Sequence, residues 1–465
     1  MGKAEGIKQE MLRKLRTGQE MSLAEQVRLV FTLSLPAILA QFSTILMQYI
    51  DASMVGSLGA GPSASIGLVS TTTWIFGGFC MATSSGFSVQ VAHLIGAGRN
   101  ARAREILREA LLCVLLFSAA MAAIGLSIAG PLPRWLGGEE AILSDATGYF
   151  FIYSAFLPFM QMAFTCGSIL QASGNMKVPA RLNVLMCFLD VAFNYLFIFV
   201  LGMGVRGAAL GTGMAELVTA GLMFYELGWR SEELCIMREK GSYLPEKETL
   251  KTAFGITSPM WLQNIILRGA HICSTVIVAP LGMVSIAANS FAIIAESFCY
   301  MPGYGMEEAA TTLVGQSIGA SRKDLARRFG LMATALGAGM MTVLAAVMFI
   351  FAPQLMDLLS NDPDVIALGA RCLRLEAFAE TMYGVSIVAY GACVGAGDTL
   401  VPSIMNFGCM WVVRIGLALL LTPKFGLMGY WIAMCADLNV RGVVFLTRIL
   451  GRRWLRKDII ATENQ

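Results

Sequence analysis

The chain carries two copies of one unit, and this duplication constrains its fold more than any other feature. Pro36 recurs as Pro259 and Asn183 recurs as Asn406, both 223 positions later. The recurring positions of the first copy are Pro36, Leu58, Gly59, Ile95, Gly96, Ala97, Arg99, Ala103, Arg104, Gly174, Val178, Pro179 and Asn183. A fixed offset over this length indicates a duplicated structural unit rather than scattered coincidences.

Both copies are strongly apolar, which predicts an all-α polytopic membrane protein. The 465 residues are 56% hydrophobic and only 14% charged. The apolar runs are about 20 residues long, as membrane-spanning helices require, and they lack the alternating polarity of a barrel strand. We expect twelve spans, at 29–54, 62–94, 106–130, 144–172, 178–202, 207–229, 252–280, 284–317, 329–352, 365–394, 401–422 and 427–449.

The placement of basic residues predicts the orientation of these spans. Of the 34 Lys and Arg residues, 26 fall on one side of the membrane and three on the other, namely Arg134, Arg206 and Lys424. The positive-inside rule therefore predicts that both termini are cytoplasmic. Six spans per copy give two six-helix bundles related by a parallel repeat. The expected segments are an N-terminal segment 1–28, an N-lobe 29–229, a linker 230–251, a C-lobe 252–449 and a tail 450–465.

Two short polar features add detail to this layout. Ser22 and Glu25 form an S-x-x-E capping box that predicts the start of the first long helix. Residues 1–28 are polar and charged, so we expect no cleavable signal peptide.

Several ordered motifs resemble the multidrug and toxic compound extrusion (MATE) family, in its bacterial form. They are ILMQYIDASMVGSLGA, QVAHLIGAGRNARARE, the stretch from SGNMKVP to GVRGAALGT, TLVGQSIGASRKDLARR and GAGDTLVPSIMNF. The resemblance implies an antiporter of the bacterial inner membrane that exports organic, often cationic compounds in exchange for protons or sodium ions. It implies alternating access between two lobes, with no cofactor.

Asp51 is the first candidate for binding the coupling ion. It lies in the first long apolar run. A charged residue at the centre of a spanning helix costs about 2.5–3.5 kcal/mol, so such residues usually mark ion pathways. The structural alternative is a neutral carboxyl that caps a neighbouring helix. The resemblance also implies a coupling role, because DinF-like and NorM-like members carry an acid at this place.

A second group of polar residues follows in the fifth and sixth predicted spans. Asp190 and Asn194 are one helical turn apart and share a face. The family has these two residue types in the opposite order. The resemblance implies that Thr212 joins them, and Glu216 lies one turn further on. A structural hydrogen bond between helices is the alternative to an ion site.

The second copy does not repeat these acids, since Ser274 and Val413 stand where Asp51 and Asp190 would recur. Its own charged candidates are Glu296, Glu380 and Arg268. A mixture of signs inside a membrane favours internal pairing over an open cation site.

The sodium site of NorM-like members is not preserved. Leu267 aligns with their seventh-span glutamate, and Tyr383 aligns with their tenth-span aspartate.

Aromatic side chains and one proline complete the candidates. Trp74, Phe79, Trp261 and Tyr300 are candidates for holding a cationic compound, since a cation–π contact contributes on the order of 0.5–2 kcal/mol. Packing and interfacial anchoring are the alternatives. Pro36 removes a backbone hydrogen bond from the first span and is a candidate hinge.

The composition favours a transporter over other classes of protein. An enzyme is disfavoured because His93 and His271 are the only histidines and no H-E-x-x-H motif occurs. A lipid-linked oligosaccharide flippase is the alternative, and Arg268 and Arg414 keep it open. We expect a small-molecule substrate and the lipid bilayer as partners, no nucleic acid, no resident metal, a transported proton or sodium ion, and a functional monomer.

Overall fold

The computed structural model describes residues 3–238 and 241–455, and in these residues every regular element is a helix. The first half of the chain contains α1 (Lys3–Arg16), α2 (Leu23–Gly56), α3 (Ala60–Gly96), α4 (Asn100–Ile128), α5 (Leu132–Trp135), α6 (Glu140–Ala172), α7 (Lys177–Asn194) and α8 (Gly204–Tyr225). The second half contains α9 (Lys247–Val278), α10 (Met283–Gly319), α11 (Lys323–Asp357), α12 (Pro363–Gly395), α13 (Leu400–Phe407), α14 (Gly416–Phe425) and α15 (Leu427–Leu450).

The long helices confirm the prediction of an all-helical polytopic membrane protein. Eleven segments of the described chain are long and apolar enough to cross a membrane. They correspond in order to the first eleven predicted spans. The twelfth predicted span is α15, a helix of 24 residues that buries Asp437 and Arg441. Of the predicted tail, residues 456–465 lie outside the described part.

Four short helical elements of the described chain were not predicted from the sequence. Helix α1 precedes the first span, and α5 lies between the third and fourth spans. Two 3-10 turns lie in the linker, Ile236–Arg238, and in the tail, Arg453–Leu455. These elements are short or polar, so no apolar run marks them.

Wide helical turns interrupt three of the spans. Tyr195–Val200 continues α7 as a π-helix, Glu226–Arg230 does the same after α8, and Gly408–Ile415 joins α13 to α14. π-helical turns occur frequently at functional sites. The turn after α7 follows Asn194 directly, which places an irregular backbone next to a candidate site residue.

The duplication is visible in the backbone as well as in the sequence. Three pairs of residues 223 positions apart share a positive φ angle: Gly59 (114°) and Gly282 (89°), Gly98 (73°) and Ser321 (60°), Gly174 (88°) and Gly397 (73°). Each ends a helix or precedes the next one. The recurring glycines are therefore backbone requirements of the turns, because L residues rarely adopt this conformation.

The capping box predicted from the sequence is present at the start of α2. The backbone N–H of Glu25 donates to Ser22 Oγ at 3.2 Å, and the backbone N–H of Ser22 donates to Glu25 Oε2 at 2.8 Å. This reciprocal pair satisfies two N–H groups that a helix start leaves without partners.

The chain forms two compact units whose boundaries differ from those of the sequence repeat. The N unit runs from Ser43 to Trp261, and the C unit joins the chain up to Phe42 with the chain from Leu262 onward. The start of α2 thus belongs to the C unit, and the start of α9 belongs to the N unit. The predicted N-lobe 29–229 and C-lobe 252–449 stay a prediction.

Two close helix crossings explain this exchange of segments. In the N unit, a Cβ atom added at Gly86 of α3 would overlap the side chain of Thr257 on α9. In the C unit, a Cβ atom added at Gly305 of α10 would lie 2.6 Å from the backbone nitrogen of Ile38 on α2. In both crossings glycine lets the two helices approach closely, as small residues do in membrane bundles.

Helix α1 packs within the C unit through an apolar face and several polar contacts. Leu12 and Leu15 are buried, and Arg322 Nη1 donates to the backbone carbonyl of Lys14 at 3.2 Å. Lys14 Nζ also pairs with Glu25 at 2.6 Å. The carbonyls that end α1 thereby gain a cationic partner, which also suits the helix dipole.

Ser321 gives a direct test of the shared turn geometry. Ser321→Gly should raise the free energy of unfolding by about 1 kcal/mol, because an L residue in the left-handed region carries a steric cost that glycine lacks. Gly98→Ser is the matched change in the other copy and should lower stability, since nothing but backbone strain opposes it there. Thermal unfolding of both purified variants in detergent checks this, and a destabilised Ser321→Gly variant would contradict it.

Candidate functional site

The N unit brings together three of the predicted coupling residues. Asn194 lies at the end of α7, one turn after Asp190, and Asp51 comes from α2. The Asn194 amide nitrogen donates to Asp51 Oδ1 at 2.9 Å and to Asp190 Oδ2 at 3.1 Å. The two carboxyl groups also contact each other. One amide therefore bridges two acids from different helices.

Helix α8 forms another wall of this site. Its Thr212 side chain lies beside the Asp190 carboxyl group. The preceding residue is Gly211, and a Cβ atom there would overlap Asn194 Oδ1 and lie 2.8 Å from the Asn194 backbone nitrogen. Glycine is needed at this position because the two helices meet where the amide is placed. Glu216, one turn beyond Thr212, interacts electrostatically with Asp190.

The site is buried and keeps oxygen atoms free of hydrogen bonds. Asp190 and Asn194 are 0% and 1% exposed. Asp190 Oδ1 and Asn194 Oδ1 accept no hydrogen bond from the described residues. Buried acceptors are costly when left without partners, so this site is suited to take up a proton or a small cation. Tyr149 of α6 interacts electrostatically with both acids. It was not predicted, since a tyrosine in an apolar span carries no distinctive pattern.

The C unit pairs one of its buried acids with two arginines. Arg414 Nε donates to Asp437 Oδ2 at 2.8 Å, and Arg441 Nη2 donates to the same oxygen at 2.6 Å. Asp437 is 0% exposed. A buried carboxylate held in this way is a structural ion pair, and removing one partner would leave an uncompensated charge.

Three glutamates of the C unit have no arginine bonded to them in the described residues. Glu376 and Glu380 lie one turn apart on α12, and Glu296 comes from α10. Glu376 and Glu380 are 0% exposed, and none of their four carboxyl oxygens has a hydrogen-bond partner in the described part of the chain. Glu296 and Glu380 were candidates from the sequence. Glu376 is also an intramembrane charge in the sequence, but a structural role was expected for it and it was not proposed as a site residue.

The grouping of the buried acids is relevant to metal binding. Within the described residues, no group of three or more His, Cys, Asp or Glu side chains is placed to hold a metal ion.

The predicted aromatic residues fall into separate places. In the N unit, Trp261 stacks on Phe117 with ring centroids 5.3 Å apart and meets Phe79 edge-on at 6.0 Å. Trp74 is 51% exposed. In the C unit, Tyr300 packs against Tyr383 at 5.6 Å. Phe79 and Trp261 therefore form one aromatic cluster in the N unit.

Arg268 lies in the C unit among tyrosines. It interacts electrostatically with Tyr304 and Tyr300, and these two rings meet edge-on at 6.1 Å. Tyr304 also lies beside Tyr383. Arg268, the cationic candidate of the second copy, therefore lies near the hydroxyl groups of tyrosines.

A family model named MatE matches two segments of the chain, residues 36–196 and 259–420. These segments cover more than half of the sequence and coincide with the two copies. The chain belongs to the MatE family.

Individual proteins similar to this MatE chain support the assignment. A probable multidrug resistance protein NorM of Thermotoga maritima is 26% identical over 443 residues, which are 93% of this chain and 94% of that protein. A mutant of the Vibrio cholerae MATE transporter VcmN has the same fold, with a TM-score of 0.86, 18% identity and coverage of 94% and 98%. A Pyrococcus furiosus transporter with a binding pocket of reversed polarity has a TM-score of 0.86, 20% identity and coverage of 92% and 97%.

The family assignment makes this MatE protein a multi-pass membrane transporter rather than an enzyme. Leu267 packs with Ala270 and Met410 in an apolar cluster, and Tyr383 contacts another tyrosine, Tyr300. The first of these positions is therefore apolar and the second is aromatic.

The contact between Gly211 and Asn194 provides a test of the site in this MatE protein. Gly211→Ala should displace the bridging amide and lower stability by about 1–3 kcal/mol, as overpacking usually does. Gly221→Ala is the matched control on α8, because a Cβ atom there meets nothing within 4 Å. The control should be neutral or stabilising, since alanine favours the helix. Thermal unfolding of the two purified variants measures the difference, and equal stabilities would contradict the role of Gly211.

Proposed function

We propose that this protein is a secondary active antiporter that exports organic cations and is driven by protons entering through the N-unit site. Transport in this family is ion-coupled. The proposal for the substrate follows relatives named multidrug resistance proteins, such as the NorM protein above and MdtK of Yersinia enterocolitica. The observation that carries the ion site is the Asn194 amide bridging Asp51 and Asp190.

A proton suits this site better than a sodium ion. Two adjacent carboxylates repel each other strongly in a buried, low-dielectric site, so one proton shared between them stabilises the pair. The Asn194 amide nitrogen donates to both acids and holds the two carboxyl groups close together, where one shared proton relieves their repulsion. Thr212 and Glu216 complete the polar wall from α8.

The aromatic cluster of the N unit is a candidate surface for the exported compound. Trp261 presents its ring to Phe117 and Phe79, and its indole nitrogen donates to Thr83 Oγ1 at 3.2 Å. Ring faces fixed in this way favour a flat cation through cation–π contact. Trp74 and Tyr300 extend the candidate contacts to other parts of the chain.

The hinge proposal rests on where the chain passes between the compact units. This passage occurs within α2 and within α9, after Phe42 and after Trp261. Each crossing follows the repeated proline of its helix, Pro36 or Pro259, within two turns. Proline removes one backbone hydrogen bond and bends helices, so both helices can change direction there. We propose that alternating access uses these two points.

The location and assembly follow from the same reasoning. We propose that the protein lies in a bacterial inner membrane with both termini in the cytoplasm, as its basic residues predict. One chain contains both copies, which favours a functional monomer.

The flippase alternative needs free cationic groups for a pyrophosphate, and Arg414 is bonded to Asp437. This contact favours the antiporter.

Asp51→Asn tests the coupling site in cells. The variant should lose most efflux of a cationic dye, because it no longer gains and releases a proton beside Asp190. Asp364→Asn, at an exposed position near the start of α12, is the matched control and should keep wild-type efflux. Dye retention is measured at equal amounts of protein in the membrane. Undiminished efflux by Asp51→Asn would remove Asp51 from the coupling mechanism.

The identity of the ion is tested with purified protein in liposomes. A proton gradient alone should drive uptake of the cationic dye, and a sodium gradient alone should not. One-for-one exchange of a proton for a monovalent cation moves no net charge, so a potassium diffusion potential should change the rate little. Transport driven only by sodium would overturn the assignment of the ion while leaving the antiporter intact.

A further inference from the structure

One end of the N unit contains an arginine-lined cavity that the transport proposal does not use. Its volume is about 580 Å³, and it lies where α6 and α8 begin and α4 ends. Arg134 and Arg206 line it, together with the hydroxyl groups of Ser144 and Thr147. These are two of the three basic residues that fall on the predicted outer side of the membrane. Because most Lys and Arg residues fall on the predicted inner side, arginines at this end are exceptions.

The side chain of Arg206 is positioned by its surroundings. Its Nη2 donates to Ser144 Oγ at 3.1 Å. Its stem crosses Gly148 of α6, where an added Cβ atom would lie 2.6 Å from Nε and 2.9 Å from Cγ. Because Gly148 has no side chain, the aliphatic part of Arg206 fits against α6 and its guanidinium group reaches the cavity.

The cavity keeps a net positive charge. Glu140 is the only acid among its lining residues, and it lies 3.8 Å from Arg134 with both side chains largely exposed. An exposed ion pair of this kind is weak. Two guanidinium groups against one carboxylate leave an attractive site for an anion, and guanidinium is well shaped for phosphate oxygens.

Part of the cavity lining is apolar. Leu143, Phe151 and Ile152 form it, and Phe151 is 51% exposed. All three belong to the membrane-spanning helix α6. A cationic rim beside an apolar wall at the end of a spanning helix matches an amphiphile better than a free anion, because both parts of the ligand find a partner.

The second copy lacks this arrangement. Asp357 stands where Arg134 would recur, and α12 begins at Pro363, where Glu140 would recur. Gly204 and Gly426 share a positive φ before the last helix of each copy, and the residues two positions on are Arg206 and Met428. The arginines are therefore not part of the duplicated scaffold.

We propose that this cavity binds an anionic phospholipid. Its phosphate lies between Arg134 and Arg206, and its acyl chains run along Phe151 and Ile152. The ligand is a structural lipid of the N unit, distinct from the transported compound. Because binding is read out directly, the test does not depend on whether the antiporter proposal holds.

The experiment compares lipid binding by purified variants. Wild type, Arg134→Gln/Arg206→Gln and the control Lys424→Gln are titrated in detergent with phosphatidylglycerol, phosphatidylcholine or inorganic phosphate. Thermal unfolding and native mass spectrometry report the binding. Lys424 is the third basic residue of the predicted outer side and is exposed on α14, so its loss changes the charge of that side without touching the cavity.

Phosphatidylglycerol should raise the wild-type unfolding temperature more than phosphatidylcholine or phosphate does. The double variant should bind it roughly tenfold more weakly or worse, and Lys424→Gln should behave as wild type. Gly148→Ala keeps every charge but displaces Arg206, so it should also weaken lipid binding. It replaces the double variant as the test if the double variant does not fold. If phosphatidylglycerol stabilises wild type and Gly148→Ala equally, the proposed lipid site at Arg206 is wrong. Equal effects of phosphatidylglycerol and inorganic phosphate would overturn its assignment to a lipid.

Discussion

A carboxyl group inside a membrane must be neutralised by a partner, an ion or a proton, and the structure depends on how each acid meets this requirement. In the C unit, Asp437 is held by Arg414 and Arg441, so its charge is permanently compensated. In the N unit, Asp51 and Asp190 share only the amide of Asn194. An amide can orient two acids without cancelling their charge. This difference is why the proposed function assigns proton exchange to the N-unit acids and not to Asp437.

The duplicated scaffold and the function occupy different residues. Positions with positive φ recur in both copies, because each copy must make the same turns between its helices. The groups that carry chemistry do not recur, since Ser274 and Val413 replace the two N-unit acids. Symmetry accounts for the shared turns, and the proposed ion and lipid sites lie where the two copies differ. The same reasoning separates Arg206 from the scaffold, as only the first copy carries it.

Most of the helices could be predicted because hydrocarbon thickness determines how long an apolar run must be. The capping box at Ser22 gave the start of α2 for a similarly local reason. Helix α1 could not be predicted in this way, because contacts made far along the chain stabilise it, including that of Arg322 with the Lys14 carbonyl. The exchange of segments between compact units was also missed, since it depends on close crossings such as the one at Gly305.

The candidate site shows the same division between local and distant information. Asp51, Asp190 and Asn194 could be found as polar residues in apolar runs, and α2, α7 and α8 bring them together. The direction of the Asn194 amide could not be predicted, because the absence of a Cβ atom at Gly211 decides it. That direction matters for mechanism. Asn194 donates to both acids and so links α2 to α7 through hydrogen bonds. Under the proposed function, a change in the protonation of either acid acts on this link, and α2 is also the helix in which the chain passes to the C unit near Pro36.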